Sequence, residues 1–374
     1  MMPITLDSAD RHGADHDGAS ETKRMEGAFS MSAQHGGHSS LLRMIATVIA
    51  RLLMLAALIG VLARLVPSRF SDIPYLPVLV SGTPWFALAA AIALLLGLLS
   101  KRWATALIAL LCLCTQVWWQ YPFFSSSTAL PSAADTATSS TPDTGDAYAR
   151  VMTANVYKGR ADAQSIVDLV KSERVEVMAL QETTDAFVRK LDAAGIGDYL
   201  PYSKVASSDK TYGNGIWSAT QLTSTVNDQI NSSASYMPAG TVAFPGASTS
   251  IRFVSVHTTS PTSGEWAQWK RSLTELQTFR EHADINTKYV LMGDFNATYD
   301  HGPFRDFLGK RFSDAARESG DGFTMTWPAN RAHIPPLVSI DHIVVDQGIA
   351  AGNMKVARIP GSDHAALLAT IALH

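Results

Sequence analysis

The chain has 374 residues, 47% of them hydrophobic and only 17% charged, with a formal net charge of -3. That length exceeds what one ordinary domain needs, and a mean hydropathy of +0.07 fits apolar membrane segments averaged with a globular domain. The charge balance excludes a strongly basic nucleic-acid binder, though not a basic groove on an acidic protein, and the two cysteines, Cys112 and Cys114, leave no disulfide or cysteine metal site downstream of them.

Residues 1–40 are polar, lack apolar periodicity and are expected to be a disordered tail on the cytoplasmic side. His12, His16, His35 and His38 within it are read as solvated rather than as a metal site. Three apolar stretches follow in 41–124. The first runs from Met44 to Val66, interrupted by Arg51 and Arg64. The second runs from Ile73 to Leu99 and the third from Trp103 to Phe124, both without a charge. About 20 apolar residues cross a bilayer core, so transmembrane helices are expected at about 44–66, 75–99 and 103–124. Lys101 and Arg102 in the turn between the second and third spans, with Lys23, Arg24 and Arg43 before the first, place those ends in the cytoplasm; Arg64 and Arg69 argue the other way. The third span then leaves the membrane on the outer side through an aromatic belt of Trp118, Trp119, Tyr121, Phe123 and Phe124. Residues 125–147, rich in Ser, Thr, Ala, Pro and Asp, have the composition of a flexible linker.

From residue 148 to 374 the pattern changes to alternating strands and helices. Strands are predicted over Arg150–Val156, Val175–Leu180, Ile251–His257, Tyr289–Met292, Ile340–Val345 and Leu367–Leu373, and helices over Ala163–Ser172 and Glu265–Ala283. Such alternation suggests a layered α/β sandwich. The polar residues gather where these strands end: Asn155, Gln181 with Glu182, His257, Asp294 with Asn296, Asp341 with His342, and Asp363 with His364. Strand ends meet on one rim of a sheet, where α/β proteins place their sites. Singly, each has a structural explanation, as a turn, a helix cap or an Asx-turn. As a set, carboxylates and an amide are hard oxygen ligands suited to Mg²⁺ or Mn²⁺, and the histidines nearby supply proton chemistry.

The segments TANVYKGRAD, LQET, GNGIWS, SVHTTSP, LMGDFNAT, SIDHIVV and GSDHAALLA, in this order from Met152 onward, resemble the endonuclease/exonuclease/phosphatase superfamily, the deoxyribonuclease I-like group, as a membrane-anchored bacterial member. The resemblance implies a four-layered α/β sandwich behind the three transmembrane helices. It implies Asn155, Glu182 and Asp363 at the metal, His364 with Asp341 and Asp294 as the acid/base set, and Asn296 and His257 on the attacking water and the phosphate. Lys158, Arg160, Tyr212 and Trp327 are further candidates for substrate contact, each with a solvent-exposed or packing role as its alternative. The expected function is a membrane-anchored, Mg²⁺- or Mn²⁺-dependent phosphoesterase with its catalytic domain outside the cell. Its substrate would be nucleic acid or a phospholipid head group, and no protein partner is inferred. The alternative is a non-catalytic membrane receptor or scaffold on the same fold. Its mark would be a lost site position, and Asn155, Glu182, His257, Asp294, Asn296, Asp341, Asp363 and His364 are all present.

Overall fold

Proline within a helix removes a backbone donor and breaks or kinks it, and none occurs between Gly18 and Val66. In the computed structural model, which describes residues 18–127, 130–134 and 145–373 and residues 18–39 by backbone alone, Gly18–Arg64 is one helix, α1. The segment expected to be a disordered tail is thus helical backbone from residue 18 on, since its Glu, Lys, Arg, Met, Ala and Gln residues favour helix. Residues 1–17, with His12 and His16, lie outside the described residues. The second apolar stretch is not one span. It divides at Gly82 into α2 (Leu76–Ser81) and α3 (Thr83–Leu99), because Pro84 in the first turn of α3 lacks the N–H that a continuous helix would need. The third stretch forms α4 (Trp103–Gln120) and a 3-10 turn, Tyr121–Phe124.

Two helices, Ser40–Arg64 and Trp103–Phe124, are long and apolar enough to cross a membrane. Helix α3 is apolar but has 17 residues, about 26 Å against a hydrocarbon core of roughly 30 Å. Small residues let α1, α3 and α4 approach closely: Ala57, Ala90 and Cys112 form their common core. A Cβ at Gly60 would lie 2.2 Å from the Phe86 ring, and one at Gly97 would lie 3.1 Å from the backbone of Ala106. Arg102 contacts Thr47 at one end of the bundle, and Arg51 lies on the exposed face of α1 one turn further along.

Among the described residues twelve strands follow: β1 (Tyr148–Asn155), β2 (Val177–Gln181), β3 (Tyr202–Ala206), β4 (Asn214–Ser218), β5 (Thr223–Val226), β6 (Ala239–Phe244), β7 (Thr249–His257), β8 (Lys288–Asp294), β9 (Phe312–Asp314), β10 (Asp341–Asp346), β11 (Ile349–Arg358) and β12 (Ala365–Leu373). They make two six-stranded sheets, ordered β11-β12-β1-β2-β4-β3 and β5-β6-β7-β8-β10-β9. Each sheet is built around one parallel pair, β1 with β2 and β7 with β8, flanked by antiparallel neighbours. The parallel pairs need crossovers, supplied by α5 (Ala163–Glu173) and, after α6 (Asp185–Ala193), by α7 (Trp266–His282). Two short helices, α8 (Gly302–Leu308) and α9 (Ala315–Ser319), complete the domain.

Alternation along the strands sorts apolar side chains into layers. Val151, Val177 and Ile216 of one sheet meet Phe253, Val290 and Ile343 of the other in the central core. On the outer faces, Met152, Met178 and Leu180 pack under α5 and α6 through Ile166, Val170 and Phe187, while Val254 and Leu291 pack under α7 and α8 through Trp269, Leu273 and Phe304. Helix, sheet, sheet, helix is the expected four-layered sandwich. The predicted strands are all present. Those the sequence did not show, β3–β6, β9 and β11, are edge or next-to-edge strands; β3 and β5 are exposed or half-buried, and β4 and β9 are short and interrupted by polar residues, so the apolar pattern is weak.

The domain does not stand clear of the helices. It is seated on the bundle end away from Arg102. Phe123 packs on Tyr299 and Phe323, Phe124 on Phe323, and Trp85 Nε1 donates to the Leu337 carbonyl at 2.8 Å. Lys270 Nζ reaches Asp72 at 3.0 Å. The segment expected to be a free linker runs, where described, along the domain: Ser127 N donates to the Glu318 carbonyl, and Leu130 packs over Gly352. The glycines explain this, since a side chain at Gly320 would meet the backbone of Ser126 at 2.3 Å. Residues 128–129 and 135–144 lie outside the described residues.

The sheets also impose one close backbone approach. A Cβ at Gly293 would lie 1.8 Å from the Val256 carbonyl oxygen, in the parallel pair that carries His257 and Asp294. Gly293→Ala should therefore separate β7 from β8 and lower the melting temperature of the full chain severely; a melting temperature within about 2 °C of wild type would contradict this packing.

Candidate active site

The parallel strands β1, β2, β7 and β8 all end at the same edge of the sandwich, and the antiparallel β10 and β12 begin there. Register then fixes the meeting of the polar residues: Asn155 pairs with Gln181, and Asp294 pairs with both His257 and Asp341. Near this edge the layer between the sheets turns from apolar to polar. Thr153 donates to Gln181 Oε1, and Gln181 Nε2 donates to Ser255 Oγ, linking the two sheets beneath the site. Each of these buried groups has a partner, which is what makes a polar floor tolerable there.

On this floor the cluster is tight. Asn155 Nδ2 donates to Asp294 Oδ2 at 3.1 Å and to Glu182 Oε1 at 3.3 Å. Its Oδ1 accepts from Tyr157 N. Glu182 has φ 58°, sparsely populated for a residue with a side chain, and this backbone turn at the end of β2 brings the carboxylate back to Asn155. His257 donates through Nδ1 to the Thr211 carbonyl, so its Nε2 faces the carboxylates, 3.7 Å from Asp294 and 3.9 Å from Glu182. His364 Nδ1 bonds Asp341 Oδ2 at 2.9 Å, and its Nε2 lies 3.6 Å from Asp294. Ser362, which the sequence reading passed over, staples the last turn to the first strand: its Oγ donates to the Asn155 carbonyl and accepts from His364 N.

Asn296 is at φ 46°, which asparagine tolerates. Its N–H caps Asp294 Oδ1, its Nδ2 donates to the Thr258 carbonyl, and its own carbonyl accepts from Trp269 Nε1. Thr258 and Trp269 thus hold the loop after β8, a role for Trp269 that helical packing alone did not signal. Asp363 is half-buried beside His364. The other candidates lie at the rim. Lys158, Arg160, Tyr212 and Trp327 are exposed, Arg160 over the Tyr157 ring. Among the described residues, none of these four side chains bonds to the cluster.

The electrostatics follow from burial. Desolvation pulls His364 down, but Asp341 and Asp294 beside it outweigh that and push it up to about 10, so the ring is an imidazolium at neutral pH. Burial raises the Asp294 carboxyl, with Asp341 adding to it and His364 and His257 opposing. Ligand atoms of Asp294, Asp341 and His364 lie within 4.8 Å of one another, but both His364 nitrogens already face carboxylates. Three carboxylate oxygens at this edge, Glu182 Oε2, Asp341 Oδ1 and Asp363 Oδ1, are buried without a hydrogen bond, and oxygens of this kind are suited to a hard cation.

The chain belongs to the Endonuclease/Exonuclease/phosphatase family, whose sequence profile matches residues 152–364. Members of that family are phosphoesterase hydrolases that use divalent metal ions. No curated protein matches the chain. Among solved structures, D. rerio TDP2 complexed with single strand DNA product is 18% identical with a TM-score of 0.50, over 60% of this chain and 99% of that one. A humanized D. rerio TDP2 with 14 mutations is 16% identical with the same TM-score and coverage. An AP endonuclease from Archaeoglobus fulgidus is 15% identical, TM-score 0.49, over 59% and 98% of the two chains. These likenesses concern the fold.

The raised His364 makes a stability prediction. Its proton is held more tightly in the folded chain than at the ordinary 6.5, so this contribution is complete below about pH 6.5 and is lost as pH rises through about 10. In EDTA the melting temperature should fall between pH 7 and 10, and His364→Gln should flatten that fall; an equally steep profile in the variant would refute the assignment.

Proposed function

We propose that the protein is a membrane-anchored, Mg²⁺- or Mn²⁺-dependent phosphoesterase. The observation that carries the reading is the convergence of Asn155, Glu182, His257, Asp294, Asp341 and His364 in one buried cluster at the sheet edge. Glu182, Asn155 and Asp363 would hold the cation. When bound, it offsets the negative charge of the phosphate and of the transition state. The chain's own groups do the rest. Asp341 fixes the His364 ring and keeps it protonated, a donor for a phosphate oxygen or a leaving group. Asp294, made more basic by burial, is matched to accept a proton from water. His257 Nε2 and the Asn296 loop orient the phosphate and the attacking water. His364, Asp341 and Asp294 act as one acid/base set.

Membrane attachment is supported by how the helices are turned. Leu52, Leu62, Leu95, Leu107, Leu111 and Trp118 are exposed on them, while Thr47, Gln116 and Gln120 are buried. This is the reverse of a bundle built for water and suits hydrocarbon surroundings. With Lys101 and Arg102 at the far end, the positive-inside rule puts the catalytic domain outside. The substrate we favour is a phosphoester borne by the membrane itself. The hairpin joined at Trp327 and Val338 touches the site through Ala329 N and the Asp363 carbonyl, and touches α3 through Leu337 and Trp85. The rim of the site therefore abuts the helices. Lys158, Arg160, Tyr212 and Trp327 are the side chains we assign to substrate contact.

Full-length protein in detergent should hydrolyse bis-p-nitrophenyl phosphate with Mg²⁺ and lose that activity in EDTA; absence of metal-dependent turnover would favour a non-catalytic scaffold. His364→Ala and Asp294→Ala should each lower kcat at least ~10²-fold, and near-wild-type turnover in either would overturn its role. Glu182→Gln should raise the Mg²⁺ concentration needed for half-maximal rate, and an unchanged requirement would remove it from the metal site.

A further inference from the structure

Asp294, the end of β8, and the loop 295–301 after it form one segment with two differently held ends. At its start, Asp294 and Asn296 belong to the cluster, and the strap of Thr258 and Trp269 secures them. At its finish, Asp300 and His301 are buried among the helices. Arg64, the last residue of α1, places Nε 2.5 Å from Asp300 Oδ1, with both side chains under a tenth exposed. Its guanidinium lies 4.0 Å from the centre of the Trp119 ring. Gln120 at the end of α4 donates Nε2 to Asp300 Oδ2 at 3.1 Å. His301 Nδ1 accepts from Thr298 N, so Nε2 carries the hydrogen and donates to the Pro77 carbonyl of α2 at 2.8 Å. Burial keeps that ring neutral, pushing it down to about 4. A side chain at Gly302 would strike Ser68 Oγ at 2.4 Å, so helices and loop touch closely at that point.

Three separate helical elements thus grip the far end of the segment that begins with two site residues. A buried carboxylate is costly unless it is paired, so the Asp300 carboxylate depends on Arg64 and Gln120, while Arg305 of the domain holds only the Tyr299 and Asp300 backbone carbonyls. The distance from Asp300 back to Asn296 is four residues of chain, tied internally by the Thr298–His301 bonds. A shift of the helices is therefore carried to Asn296 and Asp294 through a short, hydrogen-bonded path. This also accounts for Arg64, a charge otherwise misplaced at the end of an apolar stretch.

We propose that Arg64 is a positioning residue for the reaction: through Asp300 it lets the helical bundle set the placement of Asp294 and Asn296, so the helices are part of the catalytic machinery and not a detachable anchor. This rests on the phosphoesterase reading above. The test uses the full chain in detergent, the soluble substrate bis-p-nitrophenyl phosphate with Mg²⁺, and variants shown to be folded at the assay temperature. Arg64→Met should lower kcat about tenfold while KM stays within about twofold. In an Asn296→Ala background the same change should cost less than about threefold, because the loop it positions is already compromised. Gln120→Met, a milder change that serves if Arg64→Met does not fold, should lower kcat about threefold. Lys270→Met breaks another contact between domain and helices without touching the loop and should leave kcat unchanged. The proposal is overturned if Arg64→Met or Gln120→Met lowers the melting temperature but not kcat, if the losses with Asn296→Ala simply multiply, or if Lys270→Met matches them. An inactive wild type would instead bring down the phosphoesterase reading, and this inference with it.

Discussion

Glu182, Asp294 and Asp341 crowd three carboxylates into one largely dry corner, and everything about the site answers to that constraint. Like charges removed from water repel strongly unless positive charge and hydrogen bonds meet them. Some of that compensation comes from the chain itself: the His364 imidazolium between Asp341 and Asp294, the Asn155 amide between Asp294 and Glu182, and the backbone N–H of Asn296 on Asp294. What they do not cover is Glu182 Oε2, Asp341 Oδ1 and Asp363 Oδ1, all buried without a hydrogen bond. Under the phosphoesterase reading proposed above, a hard divalent cation would meet these oxygens.

The fold serves this corner by repetition. Each sheet has a parallel pair at its centre, and the two pairs end at the same edge, so four strand ends supply Asn155, Gln181 with Glu182, His257 and Asp294. The antiparallel β10 and β12 start there and add Asp341 and the Ser362–Asp363–His364 turn. An apolar core elsewhere and a hydrogen-bonded layer of Thr153, Gln181 and Ser255 just below keep the cluster rigid. Preorganised groups of this kind need no rearrangement when charge develops on a substrate.

Much of this was legible in the sequence because strand periodicity and polar interruptions are local signals. Asp341 and His342 break an apolar strand, yet only Asp341 reaches the site; His342 points the other way, to Asp314 and the Ala297 carbonyl, as the period of two requires. What stayed hidden was non-local. Nothing near Ser362 announces its bond to Asn155, and nothing near Arg64 announces a carboxylate 236 residues away. The path of the described part of residues 125–147 along the domain was hidden for the same reason. Ser- and Thr-rich composition reports low apolar content, not whether glycines such as Gly320 and Gly352 have cleared a track for the chain to lie in. The second apolar stretch misled because hydropathy does not register that Pro84 ends hydrogen bonding between α2 and α3.

If these scattered residues enclose a hard cation, anomalous diffraction from crystals of the full chain grown with Mn²⁺ will locate it. The account predicts one dominant peak about 2.1 Å from a Glu182 oxygen, on the side of the cluster lined by Asn155 and Asp363. A site without density there, or with manganese bound only by residues outside the cluster, would contradict it.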